Sequence, residues 1–469
     1  MNKKQSTLKE NIIRVLFANF WVAAISFIGS FVFPRILSIE SYAQYHQFTL
    51  YVSYIAALHL GFPSGMVINY AGKNVEDIEK RQLRAEISIV FWILSFFAIA
   101  ATAIAAITHN KMMMYIAIII LPYCSVGCYR SLLQAWNQFK RYSTISMLVS
   151  VAVPILAFLI FVVTGDLSGD QYICSYIFVY ICAFIYTAIA IWRLIKGYKR
   201  NKLVTRKNWE TEKTGAAMLA GNYINTLFVS ADKQFVNVFF STTEFAYYSF
   251  GMSMQSLMTV FITSIAQPLF PAMAQGKWKD DEYNKIKELL FVFGSFSGCA
   301  YFAGSIIVKL FIQKYTASLE VIAIYFMIFP AMAVVNCIYV NLYKIKRKMN
   351  MYIKTLIGLL VLAILLNLLM VRVYGKYTGV AIATTIVYYV WLFVGIIQFP
   401  FMKLHIRDFV YLIVYSGVFL MCIRFVNNDI IGVFVYGILI TGLALLCYGS
   451  NLKQYIGMYK QNKKGEKVS

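Results

Sequence analysis

The chain has 469 residues, 60% of them hydrophobic and only 13% charged, which is too little polar surface to cover a globule in water. The net charge of +23 raises nucleic acid as a partner, so the placement of Lys and Arg decides how it is read. Apolar residues come in runs of roughly twenty, enough for a helix to cross about 30 Å of hydrocarbon at about 1.5 Å per residue. The expected fold class is therefore all-α and integral to a membrane, with about fourteen transmembrane helices.

In chain order the spans are expected near 12–33, 43–70, 86–107, 112–133, 143–163, 171–194, 215–240, 245–273, 288–312, 319–342, 352–373, 378–399, 408–426 and 430–449. The first follows Met1-Asn2-Lys3-Lys4. It is too long for a signal-peptide core and runs into Pro34-Arg35 without a small-residue cleavage site, so it reads as a permanent helix. Of the 43 Lys and Arg, all but eight lie in or beside the termini and the connections near 71–84, 134–142, 195–214, 274–287, 343–354 and 400–407. Arg35, Lys111, Lys309, Lys314, Arg372, Lys376 and Arg424 fall on the other side, and Lys233 falls within a span. An excess of Lys and Arg in alternate connections marks the cytoplasmic side, which places both termini in the cytoplasm and accounts for the basicity without nucleic acid.

The longest connection, 195–214, follows the sixth span and reads as a linker between halves. Glu40 and Glu244 each open an acidic, Tyr-containing turn, and Gly72-Lys73 and Gly276-Lys277 close spans two and eight at the same separation. Lys140-Arg141 and Lys346-Arg347 follow spans four and ten at nearly that separation. These matches predict a duplicated six-helix unit. An even number of spans per copy makes the copies parallel, as in transporters that rock two lobes about a central site. The expected organisation is an N-terminal six-helix lobe (1–194), a cytoplasmic linker (195–214), a second six-helix lobe (215–400), and two further spans with a basic tail (401–469).

The short connections leave little room for catalysis, and no metalloprotease helix, phosphate-binding glycine loop or nucleophile elbow is present. Neither an enzyme nor a bound cofactor is expected. Cys124 and Cys128 lie one turn apart without a nearby His or carboxylate, so packing is the preferred reading over a metal. His46, His59, His109 and His405 are dispersed, and a hydrogen-bonded packing role is preferred for His59 over a proton relay.

Span seven carries the adjacent pair Asp232-Lys233. At about 100° per residue, Asn222, Thr226, Ser230, Lys233 and Asn237 share one stripe along the helix, with Asp232 beside it. The stripe reads either as a cavity wall offering a cation and hydrogen bonds to a polar anionic substrate, or as a polar seam between the lobes. The first is preferred, because a lysine at mid-membrane is costly as mere packing. Arg14 and Arg35 could add positive charge to such a cavity, whereas Arg130, at the end of span four, reads rather as a snorkelling anchor. Pro63, Pro122, Pro154 and Pro330 fall inside spans and predict kinks or interruptions. Gly294 and Gly298 form a Gly-x-x-x-Gly face suited to close helix packing.

Several of these segments resemble one family. Pro34-Arg35-Ile36-Leu37-Ser38-Ile39-Glu40-Ser41-Tyr42-Ala43-Gln44-Tyr45 is similar to the first outward turn of the polysaccharide transporter family, within the multidrug/oligosaccharidyl-lipid/polysaccharide exporter superfamily. The segment Asp232 to Phe240 followed by Glu244-Phe245-Ala246-Tyr247-Tyr248, the run Pro268-Leu269-Phe270-Pro271-Ala272-Met273, and Tyr315-Thr316-Ala317 resemble its second-half features. Ala43 and Ala246 depart from the family's usual glycine. The resemblance implies an O-antigen or capsule repeat-unit flippase in the bacterial cytoplasmic membrane, moving an undecaprenyl-diphosphate-linked oligosaccharide from the inner to the outer leaflet. It further implies two six-helix lobes forming a V, a lipid groove on the last two helices, and polymerase and chain-length components of the same pathway as partners. On that reading Arg14, Arg35, Asn222, Thr226, Ser230, Lys233 and Asn237 contact substrate and Asp232 binds a coupling ion. A lipid II flippase, a multidrug or organic-cation antiporter of the same superfamily, and a membrane polymerase or ligase are the competing readings.

Overall fold

A computed structural model of the chain describes residues 25 and 27–465, apart from 72, 74, 137, 200–205 and 277. Arg14 and the start of the first expected span lie outside the described residues. Those described are helical, with no strand among them, which suits a chain whose backbone must satisfy its own hydrogen bonds in hydrocarbon. The chain forms two compact units, Met1–Ser230 and Ala231–Ser469.

The first unit contains α1 (Phe27–Ile36), α2 (Ile39–Ile55), α3 (Phe62–Tyr70), α4 (Lys80–Thr108), α5 (Lys111–Ala135), α6 (Phe139–Thr164), α7 (Gly169–Ile195) and the first part of α8 (Arg206–Phe239). Local chemistry sets the helix starts. The Ser38 hydroxyl accepts from the Ser41 N–H at 3.0 Å, the Asn110 side chain accepts from the Met113 N–H at 3.1 Å, and Ser168 and Gln171 form a reciprocal box. Phe48, Met66, Leu83, Leu94, Ile119, Leu132, Leu133 and Ile173 fill the core. The opposite faces are apolar and open, with Ile107 79% and Val163 83% exposed. Such surfaces are stable only against lipid.

Span two is interrupted. The segments Ile39–His59 and Phe62–Tyr70 meet at 61°, with Leu60 and Gly61 in the left-handed region (φ 54° and 92°) and Pro63 in the first turn of α3. Gly61 suits that conformation because it has no Cβ. The turn also packs backbone to backbone on α8: a Cβ on Gly61 would lie 2.5 Å from the Ala216 nitrogen, and one on Gly215 would lie 2.7 Å from the Gly65 nitrogen. Pro122 and Pro154, by contrast, sit inside continuous helices.

The second unit contains the end of α8, then α9 (Thr242–Ala274), α10 (Asp280–Ser295), α11 (Ser297–Phe311), α12 (Leu319–Phe326), α13 (Phe329–Val334), α14 (Val340–Ile345), α15 (Met349–Val373), α16 (Tyr377–Gln398), α17 (Ile406–Phe425) and α18 (Asp429–Gly465). A single π-helical turn, Val335–Tyr339, joins α13 to α14. The span holding Pro330 bends by 50° between Phe326 and Phe329. Freed carbonyls there find side-chain donors: Phe326 O accepts from Ser297 Oγ and Tyr415 Oη, each at 3.0 Å, and Met327 O accepts from Tyr389 Oη at 3.0 Å. The expected close approach at Gly294 has this bend as its partner, since a Cβ on Gly294 would lie 2.5 Å from Pro330 Cα. Gly298 packs on the Tyr436 ring.

Ion pairs, one of them fully buried, tie the last two helices to α10 and α11. Lys287 and Asp408, both fully buried, pair at 2.6 Å, and Tyr448 Oη donates to the same carboxylate at 2.9 Å. Arg407 pairs with Glu288 beside them. At the other end of the helices Asp429 accepts from Lys309 at 2.7 Å and from Ser305 at 3.0 Å.

Ten helices among the described residues are long and apolar enough to cross a membrane, or twelve if each bent pair is one span. Helix α8 is long enough but is not among them, because its polar stripe lowers its hydropathy. The chain is a multi-pass membrane protein.

Candidate functional site

Besides the ion pairs on α10 and α11, each unit holds polar groups inside its apolar helices. In the second, Asp232 on α8 is 5% exposed and surrounded by donors. Its Oδ2 accepts from Tyr325 Oη at 2.6 Å, Tyr248 Oη at 3.1 Å and Thr384 Oγ1 at 3.3 Å, and its Oδ1 accepts from the Lys233 N–H at 2.7 Å. Tyr325 Oη also lies 2.6 Å from Tyr248 Oη. Elements α8, α9, α12 and α16 thus converge on one carboxylate. Taking a carboxylate out of water costs several kcal/mol, and hydrogen bonds to a charged group return about 1.5–3 kcal/mol each. A cage of three hydroxyls and an amide is what holds an acid at this depth. Because a hydroxyl can turn to present either its proton or its lone pairs, the same shell can also face a cation.

The neighbouring Lys233 points elsewhere: its Nζ stands 5.7 Å from the centre of the Phe245 ring. Asn237, one turn on, is half-buried. Toward the start of α8, Ser230 Oγ donates to Thr226 O at 2.7 Å and Thr226 Oγ1 to Asn222 O at 3.2 Å. The stripe therefore contains hydroxyls already engaged along their own helix. Arg35 is exposed at the end of α1.

In the first unit, the break between α2 and α3 opens a cavity of about 460 Å³, lined in part by His59, Ser64, Arg130, Gln134 and Asn222. His59 Nδ1 accepts from the Gly61 N–H at 3.1 Å, so the imidazole braces the turn. Cys124 donates to Ile55 O, a carbonyl just before the break, at 3.3 Å. Both side chains thus satisfy backbone groups at the break. Asn222 is the one member of the α8 stripe that lines this cavity.

A second acid, Glu86 on α4, is fully buried; it accepts from Tyr70 Oη at 2.6 Å and Gln82 Nε2 at 3.0 Å. From sequence it sits at a span end, where solvent exposure is the ordinary case. The tyrosines and threonine around Asp232 escaped the sequence reading for a different reason. They come from three distant segments, and membrane tyrosines are mostly interfacial.

Bent helices, buried acids and polar side chains enclosed by exposed apolar faces are the marks of a multi-pass membrane protein with a polar interior. The chain belongs to the polysaccharide biosynthesis protein family, whose model matches residues 8–277. Among solved structures its fold is similar to that of the lipid II flippase MurJ in an inward closed conformation, with a TM-score of 0.71 over 95% of this chain and 100% of that one at 14% identity. It is also similar to an inward-facing multidrug resistance MATE family transporter of the MOP superfamily, with a TM-score of 0.56 over 81% of this chain and 93% of that one at 12% identity. At such identities the likeness is one of fold. No curated protein matches the sequence significantly.

Proposed function

We propose that this protein moves a polyprenyl-diphosphate-linked oligosaccharide repeat unit, with undecaprenyl as the lipid, from the inner to the outer leaflet of the bacterial cytoplasmic membrane for surface polysaccharide assembly. The observation that carries this reading is the match of residues 8–277 to a polysaccharide biosynthesis family in a chain with a flippase-type fold. The chemistry agrees with it. A diphosphate calls for Lys and Arg in a partly dry setting, where charge-assisted hydrogen bonds are strong. A glycan calls for amides and hydroxyls, and the lipid tail must stay in hydrocarbon.

In this proposal residues 1–194 and 215–400 are the six-helix lobes, 195–214 links them in the cytoplasm, and 401–469 adds the last two spans and a cytoplasmic tail, giving about fourteen crossings. Arg14, Arg35, Asn222, Thr226, Ser230, Lys233 and Asn237 contact the headgroup, and Asp232 takes the coupling ion within its hydroxyl cage. Polymerase and chain-length components would act on the delivered unit.

Lipid II is the second reading, favoured by the fold shared with MurJ. Purified protein in liposomes, supplied with labelled polyprenyl-diphosphate oligosaccharide or with lipid II, separates the two. Faster outward exposure of the oligosaccharide lipid supports repeat-unit transport. Exposure of lipid II alone replaces that assignment, and movement of neither sinks the flippase reading.

A further inference from the structure

The cavity at the α2–α3 break has a chemistry that the sequence reading did not give it. It contains Arg130, whose Nε is buried without a hydrogen-bond partner among the described residues. A buried donor left unmatched costs about 1–3 kcal/mol, so an anchoring arginine would be expected to turn that group to water. The guanidinium carbon instead stands 5.5 Å from the centre of the Tyr142 ring on α6, and the side chain borders the cavity. Among the described residues no carboxylate lines the cavity, so its charge is positive and an anion is its natural occupant.

The remaining walls narrow the choice. Gln134 and Asn222, both exposed, contribute amides, and Ser64 adds a hydroxyl. Tyr123 and Tyr180 bring rings 5.1 Å apart, and Tyr180 is itself stacked on Tyr176 at 4.8 Å. Amides, hydroxyls and flat aromatic faces beside an arginine suit a sugar joined to phosphate better than a bare ion or an apolar drug. A volume near 460 Å³ is in the range of small-molecule sites. It has room for phosphate and a sugar or two rather than a whole repeat unit. Arg130 and Gln134 belong to the last turns of α5, next to the connection carrying Lys140 and Arg141. By the positive-inside rule that is the cytoplasmic side, where substrate would enter.

We propose that this cavity is a loading subsite for a glycosyl diphosphate, with Arg130 on the phosphate and Gln134, Asn222 and the tyrosine rings on the first sugar. The assignment rests on the flippase reading for its biological source, but its binding chemistry can be tested separately.

The full-length protein in detergent would be titrated with a farnesyl-diphosphate-linked N-acetylglucosamine, with uridine diphosphate N-acetylglucosamine and inorganic diphosphate as competitors. Arg130→Gln should weaken the lipid-linked probe by about tenfold or more, and Arg130→Lys should restore part of the loss. Asn222→Asp, at an exposed position, should weaken it by a similar factor by placing a negative charge in the cavity. Lys354→Gln, an exposed cation in the second unit, should bind as wild type. The nucleotide sugar competing as well as the lipid-linked form would still support a glycosyl-diphosphate site, with a soluble source. Equal competition by inorganic diphosphate would overturn the sugar contacts. Wild-type binding and flipping by both Arg130→Gln and Asn222→Asp would overturn the subsite and leave the flippase reading standing, whereas a wild-type protein that binds the probe but flips no lipid would remove the flippase reading alone.

Discussion

The carboxylate of Asp232 and the ion pair of Lys287 with Asp408 meet the same electrostatic problem in different ways. Asp232 is held by neutral hydroxyls, which can reorient toward a cation; Asp408 is held by a lysine that fills the site itself. Asp408 is accordingly expected to be structural. Lys287→Met should lower stability by about 3–5 kcal/mol, because it leaves a buried carboxylate without its counter-charge. A paired replacement, Lys287→Met with Asp408→Leu, should recover much of the thermal midpoint in detergent; a double variant no more stable than the single would argue against charge as the cause. For Asp232→Asn the expectation is different: normal abundance, nearly normal single transfer, and impaired repeated turnover. Unimpaired multiple turnover in liposomes would remove Asp232 from the coupling cycle.

At the scale of helices, the break in span two is fixed by what packs on it. Gly61 supplies a left-handed turn, and Gly215 lets α8 approach that turn to backbone contact. Gly215→Ala should therefore cost about 1–3 kcal/mol through overpacking, even though alanine is the better helix former. Gly358→Ala on α15 meets nothing within 4 Å and should leave the thermal midpoint unchanged or slightly raised. Equal effects of the two substitutions would show that the α8 contact does not brace the break. The second break is supported instead by Ser297, Tyr389 and Tyr415, whose hydroxyls hold the freed carbonyls. Such support makes a proline bend a fixed shape rather than a loose joint.

For the whole molecule, orientation and driving force can be measured. In a cysteine-free background, Asp166→Cys and Asn427→Cys should react with an impermeant thiol reagent on intact cells, while Lys199→Cys and Lys463→Cys should not. Labelling of Lys199→Cys from outside would invert the proposed topology. Moving a diphosphate outward from a negative interior is worth about 2.3 kcal/mol per charge per 100 mV. Collapsing the membrane potential in liposomes, with sodium and proton gradients held at zero, should thus slow net outward transfer. An unchanged rate would exclude the potential as the drive.

The solvent and helical class were legible in the sequence, because the length and apolarity of each run are local properties and bilayer thickness converts them into spans. The family was legible too, since its motifs are contiguous; close approaches at Gly294 and Gly298 were legible from their spacing, but the two glycines fall on α10 and α11 and meet different partners, Pro330 and Tyr436. The stripe on α8 was readable as periodicity, but its uses were not: Thr226 and Ser230 bond to their own helix, while Asn222 lines a cavity. That Pro63 and Pro330 sit at interruptions of their spans while Pro122 and Pro154 sit inside continuous helices was visible only in the structure. Tertiary structure alone brought Tyr248, Tyr325 and Thr384 to Asp232, and Lys287 to Asp408. A buried charge is stabilised by groups far apart in the chain, and only folding puts them within hydrogen-bond reach.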